Sequence, residues 1–173
     1  MKQNVFGITG WKNSGKTTLT ERLVAAFSER GLEVATVKHA HHAFDVDQPG
    51  TDSFRHRAAG AREVAVVSSL RWALMHELKE EAEPTLADIL TRLSPSDLVL
   101  VEGFKRGSHP KIECRRGEAR DQAPLAGSVP AIVAVASDAP TADGGLPSFD
   151  LDDIEGIVDF ILAHLNLQKR KNR

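Results

Sequence analysis

Short apolar runs alternate along the chain with stretches whose apolar residues recur at helical spacing. Val5-Phe6-Gly7-Ile8 is followed at once by a glycine-bearing segment, Gly10 to Gly15. From Lys16 the period changes. Leu19, Leu23, Ala26 and Phe27 recur three and four residues apart, which predicts an amphipathic helix closed by Gly31. Val34-Ala35-Thr36-Val37 has the length and β-branched content of a buried strand. Strand, glycine turn, helix and strand in sequence make a βαβ unit, whose crossover is right-handed. A polar loop from Lys38 to Gly50 follows. Thr51-Asp52-Ser53 then caps a helix through Phe54 to Ala59, and Val64–Val67 and Trp72–Met75 flank a four-residue turn as a hairpin. Pro84 opens a short helix with Leu86, Ile89, Leu90 and Leu93 on one face. Leu98-Val99-Leu100-Val101 is continuously apolar, as in a strand covered on both faces, and it ends in Glu102-Gly103. Lys111–Arg115 and Ala131–Ala136 complete the strands. A Gly- and Pro-rich loop leads to a final helix, capped by Asp150 or Asp152, with a stripe from Ile154 to Leu165. The alternation predicts an α/β fold with a mostly parallel sheet and an antiparallel hairpin extension. One domain is expected over 1–173, with 166–173 as a frayed basic tail.

Composition narrows the class. Of 173 residues, 22 are Lys or Arg and 24 Asp or Glu, a formal net charge of −2 that argues against a chain-wide nucleic-acid or anionic-membrane surface. A hydrophobic fraction of 41% is enough for a real core. The lone Cys114 excludes an intrachain disulfide and a multi-cysteine zinc site, and reads as structural. Met1 to Gly10 has no long apolar core of a secretory signal, and no run reaches membrane-spanning length. The expectation is a cytoplasmic protein that engages neither nucleic acid nor membrane.

The strongest chemical signal is Gly10-Trp11-Lys12-Asn13-Ser14-Gly15-Lys16-Thr17, a full match to G-x-x-x-x-G-K-[ST] placed after a strand and before a helix. Its glycines let the backbone approach phosphate oxygens, and successive N–H groups with the open helix N-terminus form an anion nest. Lys16 is expected to reach the β- and γ-phosphates, Thr17 to ligate Mg²⁺, and Thr18 to extend the binding run. The motif implies a three-layer P-loop NTPase-like fold. Glu102, ending an apolar strand, is the candidate acid that holds Mg²⁺ or orients the attacking water, and with Lys16 forms the candidate catalytic pair. Asp52 is a second metal candidate, for which helix capping is an equal account.

Other residues carry weaker signals. His39, His41 and His42 lie near Asp45 and Asp47, a set that suits a transition metal or, more simply, a solvated loop. Lys12, Lys38, Lys105, Arg106 and Lys111 are candidates to gather on one polyanion-binding face. Asp138 ends a late strand, where GTP-binding P-loop proteins place the Asp that reads guanine. The accompanying Asn or Thr and Lys are missing, and a turn aspartate is an equal account. Trp11 and Trp72 fit packing as well as base stacking.

Taken in order, these segments resemble the molybdopterin-guanine dinucleotide biosynthesis protein B (MobB) family. The resemblance is carried by Gly10–Thr17, Val37-Lys38-His39-Ala40-His41-His42, Asp45–Ser53, Ala59-Gly60-Ala61, Asp97–Lys105, Pro110-Lys111-Ile112-Glu113 and Ala134–Asp138. It implies a GTP-binding protein with weak GTPase activity and Mg²⁺ dependence, usually a homodimer. It also implies a MobA-type nucleotidyltransferase and molybdopterin, or molybdenum cofactor, as partners. Two other functions fit the residues: a nucleotide-carrying adapter without significant turnover, and a nickel-inserting metallochaperone GTPase. A small-molecule kinase would need an acceptor pocket that the sequence does not identify.

Overall fold

The computed structural model describes residues 3–40, 44–119, 121, 123–141 and 144–168. His41, His42 and the tail residues Lys169–Arg173 therefore lie outside the described residues. The chain forms two compact units, Met1–His39 with Leu86–Arg173, and Ala40–Thr85.

The larger unit is built on a six-stranded sheet. Its strands are β1 (Val5–Gly10), β2 (Val34–Lys38), β5 (Leu98–Glu102), β6 (Lys111–Arg115), β7 (Ile132–Ser137) and β8 (Ser148–Asp150), in the order β2-β5-β1-β6-β7-β8. Every pairing in it is parallel. Side chains alternate across this sheet and in β1, β5, β6 and β7 are mostly buried on both faces, which is why a central strand such as β5 reads as an unbroken apolar run. Phe6, Ile8, Leu98, Leu100, Ile112 and Cys114 pack with helices α1 (Lys16–Glu29) and α4 (Ile154–His164). Val99, Val101 and Val37 face the other way, toward Leu86, Ile89, Leu90 and Leu93 of α3 (Leu86–Arg92) and the residue after it. This is the expected α/β, three-layer arrangement.

Two details differ from expectation. The Gly- and Pro-rich loop contains the edge strand β8, three residues long and too short to show a periodic signal. The cap of α4 is Asp153, whose carboxylate accepts the Gly156 N–H at 3.0 Å, and neither Asp150 nor Asp152. Asp152 pairs instead with Arg22 at 2.5 Å, and Asp150 accepts the Asp152 N–H.

The smaller unit contains α2 (Asp52–Ala58) and the predicted hairpin, β3 (Glu63–Val67) antiparallel to β4 (Trp72–His76). Thr51 caps α2, its hydroxyl accepting the Phe54 N–H, so capping does not explain Asp52. Arg57 holds this unit together. Its guanidinium donates to Asp47 at 2.6 Å, Asp45 at 2.8 Å and Glu77 at 3.0 Å.

Candidate nucleotide-binding site

The glycine loop leaves β1 at Gly10 and enters α1 at Gly15. A methyl group on Gly10 would lie 2.4 Å from Ser14 Oγ and 2.5 Å from the Cys114 carbonyl oxygen, so only glycine fits. Gly15 caps α1 in the left-handed region with φ 90°, and Asn13 shares that region with φ 64°. No side chain caps this helix and its first turn carries no acid, so its N-terminal N–H groups remain open to an anion. Ser14 is buried with a hydroxyl that has no partner among the described residues. The side chain of Lys16 folds back over the loop and donates to the Trp11 carbonyl at 2.5 Å. Lys12, Asn13, Thr17 and Thr18 are exposed along the same run.

Glu102 reaches this loop from the neighbouring strand. The Thr17 hydroxyl donates to Glu102 Oε1 at 3.1 Å, and Lys38 Nζ lies 3.5 Å from the same oxygen. Register explains the meeting: β5 pairs with both β1 and β2, and Lys38 stands opposite Glu102 across the ladder. Oxygen donors on a hydroxyl and a nearly buried carboxylate match the preference of Mg²⁺.

After Glu102 the chain turns sharply through Gly103 and Phe104, both with positive φ, 97° and 45°. For a phenylalanine that backbone is strained. Its ring packs on His39, with centroids 4.6 Å apart, and the turn delivers Lys105 over the Trp11 ring at 4.2 Å from its centroid. Trp11 Nε1–H donates to the Ala123 carbonyl at 2.7 Å, so this tryptophan fastens the 116–130 segment to the loop. Burial holds the Lys16 amine below its ordinary pKa, and Lys105 and Lys38 push it the same way against the pull of Glu102. A half-buried lysine among further ammonium groups, with one carboxylate among them, is a site that favours an anion.

Lys111 does not join that face. It is fully buried, and its ammonium donates to the carbonyls of Gly107, His109 and Pro130 at 2.6, 2.9 and 2.9 Å. Strand alternation turned it inward, where three carbonyl acceptors satisfy an ammonium's three donors. Arg106 is exposed. Glu113, equally buried, accepts the N–H groups of Leu125 and Ala126 at 2.8 and 2.9 Å and pairs with Arg115 at 2.8 Å. Burial raises the Cys114 thiol to about 12, which keeps it protonated and fits the structural role expected of it.

The remaining candidates fall on other segments of the chain. Asp138 accepts the Gly117 N–H through both oxygens, at 3.0 and 3.3 Å, so one of its functions is to hold the turn after β6. Asp52 lies exposed in the first turn of α2 in the smaller unit, 3.9 Å from Arg55. Asp45 and Asp47, members of the expected transition-metal set, are engaged by Arg57, while His41 and His42 of that set lie outside the described residues. Among the described residues no group of three or more His, Cys, Asp or Glu side chains is placed to hold a metal ion. Trp72 lies on the hairpin, exposed.

The sequence matches the family of molybdopterin guanine dinucleotide synthesis protein B over residues 5–138. The chain belongs to this MobB family. It is 39% identical over 167 residues to the molybdopterin-guanine dinucleotide biosynthesis adapter protein of Escherichia coli (strain K12), covering 95% of this chain and 94% of that one. The probable adapter protein of Bacillus subtilis (strain 168) is 32% identical, with 93% and 92% covered. Among solved structures, the MobB protein homolog from Bacillus stearothermophilus superposes with a TM-score of 0.72 at 32% identity, covering 95% of this chain and 99% of that chain. Bacillus subtilis MobB superposes with a TM-score of 0.73 at 28% identity, covering 92% and 96%. MobB membership assigns the chain to molybdopterin guanine dinucleotide biosynthesis, and none of its described helices is long and apolar enough to cross a membrane.

Proposed function

We propose that this MobB-family chain is a cytoplasmic adapter that binds GTP with Mg²⁺, hydrolyses it slowly, and assists a MobA-type guanylyltransferase in attaching GMP to molybdopterin. One observation carries the reading: Thr17 of the glycine loop and Glu102 at the end of β5 meet at 3.1 Å, and Lys16 of the same loop donates to a loop carbonyl. In this reading the N–H groups from Asn13 to Thr18 cradle the phosphates, and Lys16 leaves Trp11 to bind the β- and γ-phosphates. Thr17 and Glu102 would hold Mg²⁺, which would supply neutralisation of the phosphate charge there.

Slow turnover fits the surroundings of Glu102, whose Oε1 is engaged by the Thr17 hydroxyl at 3.1 Å and lies 3.5 Å from Lys38 Nζ, which leaves that oxygen little freedom to orient an attacking water. Asp138 stands at the end of β7, the side on which a base would lie, and is the proposed guanine reader. The exposed apolar hairpin is the proposed meeting surface of a homodimer.

Calorimetric titration with Mg-GTP tests the nucleotide reading. Lys16→Ala is expected to weaken binding by about 10- to 100-fold, the value of one or two charge-assisted hydrogen bonds. Undiminished affinity in that variant would remove the loop from the nucleotide site. Co-elution of the native chain with a purified MobA-type enzyme, stronger with GTP present, is the expected sign of partnership.

A further inference from the structure

We propose that Arg116 is a phosphate-binding residue of the nucleotide site, acting on the α- and β-phosphates at the end remote from the metal. The assignment rests on the nucleotide reading above and adds a ligand contact outside the glycine motif. Arg116 is the first residue beyond β6, and its guanidinium lies over the glycine loop. A methyl group on Gly15 would sit 3.2 Å from Arg116 Nε and 3.6 Å from its Cζ. Gly15 opens α1, where the uncapped N–H groups point.

The placement follows from strand register. Gly10 stands opposite Cys114 in the parallel β1–β6 pair. Cys114 points to the sheet face covered by α1, and Arg116, two residues on, continues on that face beyond the strand end. Glu113 and Arg115, on the alternate positions, pair with each other. The turn that carries Arg116 is pinned by Asp138, which accepts the next N–H, that of Gly117.

The charge is also unspent. Arg116 is half-buried, and among the described residues its guanidinium makes no hydrogen bond and no ion pair. A guanidinium brought partly out of water with no carboxylate or carbonyl to receive its donors is matched by a bound anion, and its planar fork suits phosphate oxygens.

Strand order decides which phosphates it meets. Glu102 and Lys38 come from β5 and β2, on one flank of β1, whereas Arg116 comes from β6 on the other. The metal and the terminal phosphate belong to the first flank. Arg116 therefore faces the α- and β-phosphates, which GTP and GDP share.

The test is calorimetric titration of the native full chain, Arg116→Ala, Arg116→Gln and Arg116→Lys with Mg-GTP and Mg-GDP. Arg116→Ala and Arg116→Gln are expected to lose about 10-fold in affinity for both nucleotides alike. Arg116→Lys should recover part of the loss for both. Melting temperatures should also match, because Arg116 forms no hydrogen bond within the described chain. Native affinity for both nucleotides in Arg116→Ala and Arg116→Gln would overturn the assignment alone and leave the glycine loop intact. A loss confined to GTP would overturn it in favour of a γ-phosphate contact. A native chain that binds neither nucleotide would remove the nucleotide reading and this assignment together.

Discussion

In the larger unit β5, β1, β6 and β7 each have a parallel neighbour on both sides, and their side chains are buried on both faces. The β3–β4 hairpin of the smaller unit has no third strand, and Val67, Leu70 and Trp72 are 74%, 86% and 70% exposed. An isolated two-stranded sheet is marginal in water by itself. Around it, charged contacts hold the unit: Arg57 with three carboxylates, His76 with Glu63 and Glu81, and Arg62 with Glu81. One unit is organised by excluding water and the other by polar contacts that remain accessible to it. The functional consequence is a division of labour. A rigid sheet edge can position Thr17, Glu102 and Arg116 to within ångströms, whereas exposed apolar residues on a hairpin suit the recognition proposed for them.

The largest expected effect tests the apolar unit. Leu100 is fully buried between α1 and its strand neighbours, and Leu100→Ala is expected to cost about 2–5 kcal/mol in urea unfolding. Trp72→Ala should leave that stability unchanged to within about 0.5 kcal/mol while weakening self-association in sedimentation velocity. A Trp72→Ala chain as unstable as Leu100→Ala would erase the distinction between the units.

Acidity should separate them next, because two histidines titrate in opposite senses. His109, packed against Gly7, is half-buried, and its Nε2 has no partner among the described residues. Burial, aided by Lys111, lowers it to about 4 from 6.5. The unfolded chain therefore binds this proton more readily than the folded one, and stability is lost as pH falls from about 6.5 toward 4, by on the order of 1–3 kcal/mol. His76 behaves the other way. Hydrogen bonds with Glu63 and Glu81 raise its pKa, so its contribution is present below 6.5 and fades as pH rises through the raised value. His109→Gln should flatten the acid limb of the stability curve, and His76→Gln the limb above pH 6.5.

Arg57→Ala should act locally. It strips Asp47 of the guanidinium that holds its carboxyl below the ordinary range. Hydrogen exchange is expected to quicken in α2, β3 and β4 and to stay unchanged in β1 and β5; uniform acceleration would mean that the units unfold as one. The smallest effect belongs to the larger unit's sheet edge. If Asp138 reads guanine, Asp138→Asn should narrow the preference for GTP over ATP in competition binding; an unchanged ratio would leave it only its hold on Gly117.

Much of this was legible before any coordinates, for a physical reason. Leu98–Val101 read as a doubly covered strand because parallel strands between helix layers need apolar residues at every position. The glycine loop was legible because phosphate binding restricts a contiguous segment, so the constraint is written in neighbouring letters. Helix caps were less so: Thr51 and Asp153 each have acidic or hydroxyl neighbours that could cap equally well, and backbone geometry alone chooses among them. Lys111 differs from the surface position its charge suggests because the carbonyls of Gly107, His109 and Pro130 make its burial tolerable. Arg116 carries no local signal for the complementary reason: the residue after a strand has significance only once the adjacent strand is known.

By itself the sequence determined the alternation of strands and helices, the hairpin, and the glycine loop with its lysine and threonine, because each is encoded by residues close together in the chain. The tertiary structure decided the partners of that loop. Glu102 and Arg116 reach it from the ends of β5 and β6, two strands far along the chain whose places beside β1 are set by long-range pairing and not by any local pattern. Side-chain alternation tells which face a residue takes, but only the register between distant strands tells whom it meets there.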